Sequence, residues 1–136
     1  MQTAGSDIAP GTALPRATIT DITRERMIAV MQVMGDENPI HDDEALATAL
    51  GFRGIVNQGP ANLAYVANVL LDWCGNATAI RSMRFRFLDN VVPGDELEVR
   101  AKVTAVAQEE VECAFELASE QRLHVTGTSR LIRDDV

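Results

Sequence analysis

The second half of the chain alternates apolar and polar positions with the period of a β-strand. Met83, Phe85 and Phe87 alternate with Arg84 and Arg86. Beyond the turn signal Val92-Pro93-Gly94-Asp95, the residues Leu97, Val99, Ala101, Val103 and Ala105 occupy every second position. Val111, Cys113, Phe115 and Leu117 repeat the pattern, and a last segment runs from Leu123 to Ile132. Successive strand side chains point to opposite faces, so these segments predict four antiparallel strands, each covered on one face. Ala17–Ile19 is expected to add a fifth strand.

The first half has helical spacing. Thr20 or Asp21 is expected to cap a helix running to about Met34, with Ile22, Met27, Ile28, Met31 and Met34 filling core and Gly35 stopping it. A short helix is expected from Asp43 to Leu50, with acids in its first turn and Gly51 just beyond its end. From Gly59 to Gly75 the chain reads as a third helix, because Pro60 suits a first turn where its missing N–H is not needed. Leu63, Ala64, Tyr65, Val66, Ala67, Val69, Leu70 and Leu71 make it apolar on nearly every side, the mark of a buried helix. At about 1.5 Å per residue it is too short to span a bilayer, so the strands must enclose it. The expected fold is α+β: one domain, a curved antiparallel sheet of about five strands wrapped around a long central helix.

Composition narrows the functional classes. A length of 136 residues suits one domain, and 12 Lys+Arg against 20 Asp+Glu give a net charge of −8. Nucleic acid and anionic membranes are polyanions and so are not expected partners. All but one of the basic residues are Arg, the exception being Lys102, which favours fixed forked contacts over diffuse positive charge. Residues 1–14, rich in Ala, Gly, Thr and Pro, lack both a basic start and an apolar run; they read as a flexible leader before a domain at 15–136. Cys74 and Cys113 fall at apolar positions far apart, as expected of buried thiols in a reducing cytoplasm, and no Cys or His spacing suggests a metal.

The chemistry concentrates in two places. Gly35-Asp36-Glu37-Asn38-Pro39-Ile40-His41 puts an acid and an imidazole five positions apart, with Asn38-Pro39 breaking any helix between them. Such a turn can bring Asp36 and His41 to one point, where together they can hold a water molecule and move its proton. From spacing alone, a carboxylate capping a helix end beside a surface His stays open as the alternative. The second place is Gly59, where a loop enters the third helix. Its N–H would be one of the unpaired donors at a helix N-terminus, suited to an oxyanion, unless Gly59 only makes the turn.

Gly35 to His41 resembles the Gly-Asp-x-Asn-Pro-x-His motif of the MaoC-like, (R)-specific enoyl-CoA hydratases and related acyl-thioester dehydratases. The resemblance covers about Asp21 to Ala107, including Gly51-Phe52, Gly54-Ile55, the Gly59 helix and Val92-Pro93-Gly94-Asp95. It implies a hot-dog fold, a lyase, and no cofactor beyond the CoA thioester that is the substrate. It further implies that Asp36 and His41 activate water for addition to C3 of a trans-2-enoyl thioester, or run the reverse dehydration. Gly59 N–H would hold the thioester oxygen, and Asn38 would keep the loop in shape.

Two departures stand out. Gln58-Gly59-Pro60 replaces the usual His-Gly-Met type of sequence, and Ala67 stands where some short-chain hydratases carry a helix Ser. With Asn57, Asp72-Trp73 and Ile80-Arg81-Ser82, the chain is also similar to hydratases acting on bulky steroid side-chain CoA esters. Asn38, Asn57, Gln58, Arg81, Arg84 and Arg86 are therefore expected on the substrate, the arginines at its phosphates or simply as solubilising surface. The alternatives are a 3-hydroxyacyl dehydratase acting on acyl-carrier protein, a hot-dog thioesterase, and a subunit of a hetero-oligomeric hydratase. The thioesterase is disfavoured because the helix from Pro60 to Leu71 contains no acid. A homodimer, or a heteromer with another hot-dog chain, is expected to complete the sheet and the substrate groove.

Overall fold

The computed structural model describes residues 7–132. Five antiparallel strands form one sheet: β1 (Ala17–Ile19), β2 (Ile80–Phe87), β3 (Leu97–Val106), β4 (Glu110–Ala118) and β5 (Leu123–Ile132). Their order is β1-β3-β4-β5-β2, so the short β1 and the eight-residue β2 are the edges. Three register shifts, at Ile80/Ser82, Val103/Ala105 and Leu117/Ala118, bend the strands. Gly127 tightens the bend, since a Cβ there would run into the Arg84 carbonyl oxygen and lie 2.7 Å from the Phe115 ring.

Three helices precede β2. Helix α1 (Arg24–Met34) is capped by the Thr23 hydroxyl, which accepts from Arg26 N–H, rather than by Thr20 or Asp21. Gly35 ends it in the left-handed conformation at φ 63°, where a residue without Cβ costs least. Of its expected apolar stripe, Met27 is buried, Ile28 and Met31 are half-buried and Met34 is exposed; Ile22 is buried just ahead of the helix. Helix α2 (Glu44–Ala49) is capped by the Asp43 carboxylate.

Helix α3 (Gly59–Cys74) lies across the concave face of the sheet. Val66, Val69, Leu70 and Cys74 pack against Val99, Val103, Val111, Cys113, Phe115 and Leu131. Each fully buried Val or Leu contributes about 1.5–3 kcal/mol. The enclosure is one-sided, contrary to the all-round burial expected: Pro60, Ala64, Asn68 and Asp72, spaced at four residues, form an exposed stripe on α3. Burial pushes the Cys113 thiol up to about 12, with the nearby Cys74 adding to the shift.

The expectation that every strand has one covered face fails at β2. Phe85 and Phe87 share the concave side with Met83 but remain 45% and 49% exposed, since α3 meets Phe87 at Gly59 and leaves much of both rings open. Residues 1–6 of the expected leader lie outside the described residues. Its end is tied to β3 by bonds such as Gly11 N–H to Val103 O (2.7 Å) and Leu14 N–H to Ala101 O (3.0 Å), and Leu14 is buried. His124 on β5 is fully buried as a structural residue, bonded to the Ser119 hydroxyl and the Asp89 carbonyl. No helix among the described residues is long and apolar enough to cross a membrane.

Candidate active site

The turn after α1 folds as a chain of local hydrogen bonds. Asp36 N–H continues the helix end by donating to Met31 O (3.0 Å). Asp36 Oδ1 accepts from Asn38 N–H (2.9 Å), and Asn38 Oδ1 accepts from Ile40 N–H (3.2 Å). Asn38 thus shapes the loop, as expected of it. Pro39–His41 makes one 3-10 turn, which points His41 inward to 7% exposure. Asp36 Oδ2 then lies 3.1 Å from His41 Nε2. The spacing of five closes on one point.

The protonation pattern follows from geometry. His41 Nδ1 is 2.6 Å from the Val56 carbonyl oxygen, which can only accept, so Nδ1 carries a proton. Nε2 faces Asp36 Oδ2, and the two side chains lie in the reach of anything that occupies the partly open Asp36 side. A group that can give or take one proton at a fixed place is what acid–base chemistry requires.

The same loop segment fixes the donor. Val56 N–H returns a bond to Ile40 O (3.0 Å), and Asn57 N–H bonds to Val91 O (2.8 Å). Three residues after Val56, Gly59 opens α3, and its N–H meets no acceptor among the described residues. Pro60 has no N–H at all, so Gly59 and Ala61 present the first-turn donors to whatever approaches the helix end. A Cβ on Gly59 would lie 3.0 Å from Phe87 Cζ and 3.2 Å from Cε2, so the Phe87 ring covers the glycine face. Phe85 stands beside it, its ring 5.2 Å away and tilted by 60°.

The remaining expected site residues are placed differently. Asn57 is buried, its amide donating to Asn62 Oδ1 (2.8 Å) inside the wall. Gln58 is 1% exposed; its Nε2 donates to Met27 O (3.3 Å), tying α1 to the start of α3, and its Oε1 has no partner. Arg84 and Arg86 pair with Thr128 and Thr126 on the face opposite Phe85 and Phe87, and Arg81 sits at the bulge between Ile80 and Ser82. The structure thus brings Asp36, His41 and the Val56–Gly59 segment together, and sets the three arginines apart. Phe87 is the site neighbour that sequence reasoning missed. Only the edge position of β2 brings it to Gly59.

Neither of two other features competes for the role. A cavity of about 690 Å³ at the β4–β5 turn touches none of Asp36, His41 or Gly59. Its arginines are already engaged: Arg53 by Asp95, Arg100 by Glu116 and Arg122 by Asp89. No group of three or more His, Cys, Asp or Glu side chains among the described residues could hold a metal ion.

Residues 8–121 match the family model described as the MaoC like domain. The chain belongs to that family. The sequence is 33% identical over 101 residues to the enoyl-CoA hydratase ChsH3 of Mycobacterium tuberculosis, covering 71% of this chain and 34% of that protein. It is 37% identical over 89 residues to 3-hydroxyacyl-thioester dehydratase Y of the same organism, covering 61% and 30%. The matched segment is thus about a third of either relative's length. The fold is also that of the ChsH1-ChsH2 complex of M. tuberculosis, whose matched chain superposes with a TM-score of 0.83 at 22% identity, covering 92% of this chain and 98% of that one. This MaoC-like domain has the hot-dog fold, a sheet curled on a central helix.

Proposed function

We propose that this MaoC-like domain adds water reversibly across a trans-2-enoyl-CoA, giving the (R)-3-hydroxyacyl-CoA. The observation that supports it most is the Asp36–His41 contact, built onto the segment that leads to Gly59. Water held by the pair bonds through its oxygen to C3 and gives one proton to the pair. The pair returns one proton to C2, so it ends as it began. Gly59 N–H meets the thioester oxygen as enolate character develops, a contact worth about 3–4 kcal/mol in comparable oxyanion sites. Dehydration retraces these steps.

The acyl group leaves past Phe85 and Phe87, whose exposed rings give an open apolar wall suited to a bulky chain such as a steroid side chain. That opening also supports assembly with another hot-dog unit, as in the similar ChsH1-ChsH2 complex. The carrier is CoA in this reading. Asn57 and Gln58 act by holding the wall behind Gly59 and not by touching substrate.

Loss of the conjugated thioester absorbance is the test, run with crotonyl-CoA, longer enoyl-CoAs, a steroid side-chain enoyl-CoA and the same acyl groups on acyl-carrier protein. Turnover of a CoA ester to the R alcohol supports the reading. Turnover only on the carrier protein replaces the substrate. Thiol release unaffected by Asp36→Ala replaces the reaction with thioester hydrolysis.

A further inference from the structure

Gly59 carries its donor on the same side as the Cβ it lacks. In a helix, Cα–Cβ bonds lean towards the N-terminus, and the first-turn N–H groups point that way too. Gly59 opens α3, so both directions meet beyond the helix end. An acyl oxygen accepting from its N–H at about 2.9 Å therefore comes within about 4 Å of the Cβ position. The Phe87 ring faces that same position, with Cζ at 3.0 Å, Cε2 at 3.2 Å and Cε1 at 3.5 Å. Three ring atoms at such similar distances mean that the ring lies across the glycine with its face near Cζ, and does not merely point at it.

The ring is also held there. Phe87 is the last residue of β2 and pairs with the fully buried Val125 of β5. The next residue, Leu88, donates its N–H to the His124 carbonyl oxygen (2.9 Å), and the buried imidazole of His124 is itself bonded at both nitrogens. The Phe85 ring leans on Phe87 at 5.2 Å and 60°, a tilted aromatic pair. Phe87 can thus yield by tenths of an ångström without leaving Gly59. About half of it stays open, which leaves the acyl chain a way past.

These placements give the ring a part in the chemistry. The Gly59 N–H has no acceptor among the described residues, so water competes for it wherever water can reach. Such a donor counts for more when water is kept away, because nothing else then screens the charge that develops on the oxygen. We propose that Phe87 is a positioning residue acting through Gly59: its ring keeps water off one side of the donor and confines the thioester oxygen to the N–H. The inference rests on the hydratase reading of Gly59. Because the charge on the oxygen grows towards the enolate, the effect falls on kcat more than on KM.

Phe87→Leu and Phe87→Ala, each shown folded by circular dichroism, test it with two measurements. The first uses 2,4-hexadienoyl-CoA bound to protein that also carries Asp36→Asn. The absorbance of this conjugated thioester moves to longer wavelength as its oxygen is polarised. With Phe87 in place a clear red shift is expected, and Phe87→Ala should keep no more than about half of it. The second is hydration of crotonyl-CoA with Asp36 intact. In Phe87→Ala kcat should fall about tenfold or more, with KM within about threefold of wild type. Phe87→Leu, which keeps much of the bulk, should lie between, and it carries both comparisons if the Ala variant does not fold.

A red shift and a kcat both unchanged in the folded variants would overturn the proposal, and so would the absence of any shift with Phe87 in place. A lowered Tm with the shift retained would overturn it too, by making the ring structural only. Hydration by wild type, together with a shift indifferent to residue 87, would sink this inference alone. A shift that depends on residue 87, without hydration of any enoyl-CoA, would sink the hydratase reading alone.

Discussion

Gly59→Ala separates the donor's chemistry from its place in the fold. The added methyl would lie 3.0 Å from Phe87 Cζ, 3.2 Å from Cε2 and 3.5 Å from Cε1, so the ring must give by a few tenths of an ångström. It can do so, because Phe87 is 49% exposed and sits on an edge strand. Gly59 also begins a helix without a positive φ, where Ala is conformationally acceptable and favoured over Gly by up to about 1 kcal/mol. These terms nearly cancel, and stability should stay within about 1 kcal/mol of wild type, a shift of a few degrees in Tm. Activity should not survive so well. The N–H remains, but an acyl oxygen must come within about 2.7–3.1 Å of it, beside the new methyl, and blocking that approach should cost up to the about 10²–10³ in kcat that removal of one such donor costs. Initial rates with crotonyl-CoA and thermal melts on the same preparation check both halves. Activity within about threefold of wild type at an unchanged Tm would refute the role of Gly59 as donor. A collapse of Tm would show the glycine to be structural instead.

Two further predictions concern what holds the scaffold. Burial works to raise the Asp95 pKa, but the Arg53 guanidinium and the Val92 N–H hydrogen-bond its carboxylate and leave it below the ordinary range. Asp89 is also lowered, chiefly by its hydrogen bond from Arg122. A carboxylate with a depressed folded pKa stabilises above about pH 4 and loses that contribution as pH falls through the folded value. Urea melts between about pH 3 and pH 6 should therefore show stability falling on the acid side, less steeply in Asp95→Asn; equal slopes would contradict this. Gly127→Ala sets a methyl against backbone, at the Arg84 carbonyl and 2.9 Å from the Phe85 Cα, where no flexible side chain can yield. It should cost about 3 kcal/mol or more, read as a lowered Tm, and a variant as stable as wild type would contradict the close approach of β2 to β5.

Much of this architecture is legible in the sequence because its periods are clean. The two-residue alternation of β3, β4 and β5 and the apolar run of α3 survive as elements with nearly the expected bounds. The alternation in β2 is equally clean, and there it misleads. Period tells which residues share a face, but not whether anything lies above it, and that depends on the strand order, which leaves β2 at an edge. The exposed stripe of α3 has the same origin, since small and apolar residues such as Ala64 look alike at covered and open positions.

The site divides in a similar way. Asp36 and His41 lie close together in sequence, so a turn suffices to join them, and the turn's own residues announce it. The lock on His41 Nδ1 comes from the Val56 backbone, which no side-chain pattern encodes. Asn57 and Gln58 are expected at the substrate from the family resemblance alone. The Gln58 amide instead ties α1 to the start of α3, and the Asn57 amide ties its own loop to Asn62 on α3. The Phe87 ring reaches Gly59 only through the tertiary fold, 28 positions away in the chain.

Hydration of a trans-2-enoyl-CoA by wild type, Asp36→Asn, His41→Ala and the double variant, each shown folded by circular dichroism, tests the central claim most directly. Because the two groups act on one water as a unit, each single change should lower kcat/KM by about 10²–10⁴, and the double variant should be little worse than either. Full activity in both single variants, with folding intact, would contradict it.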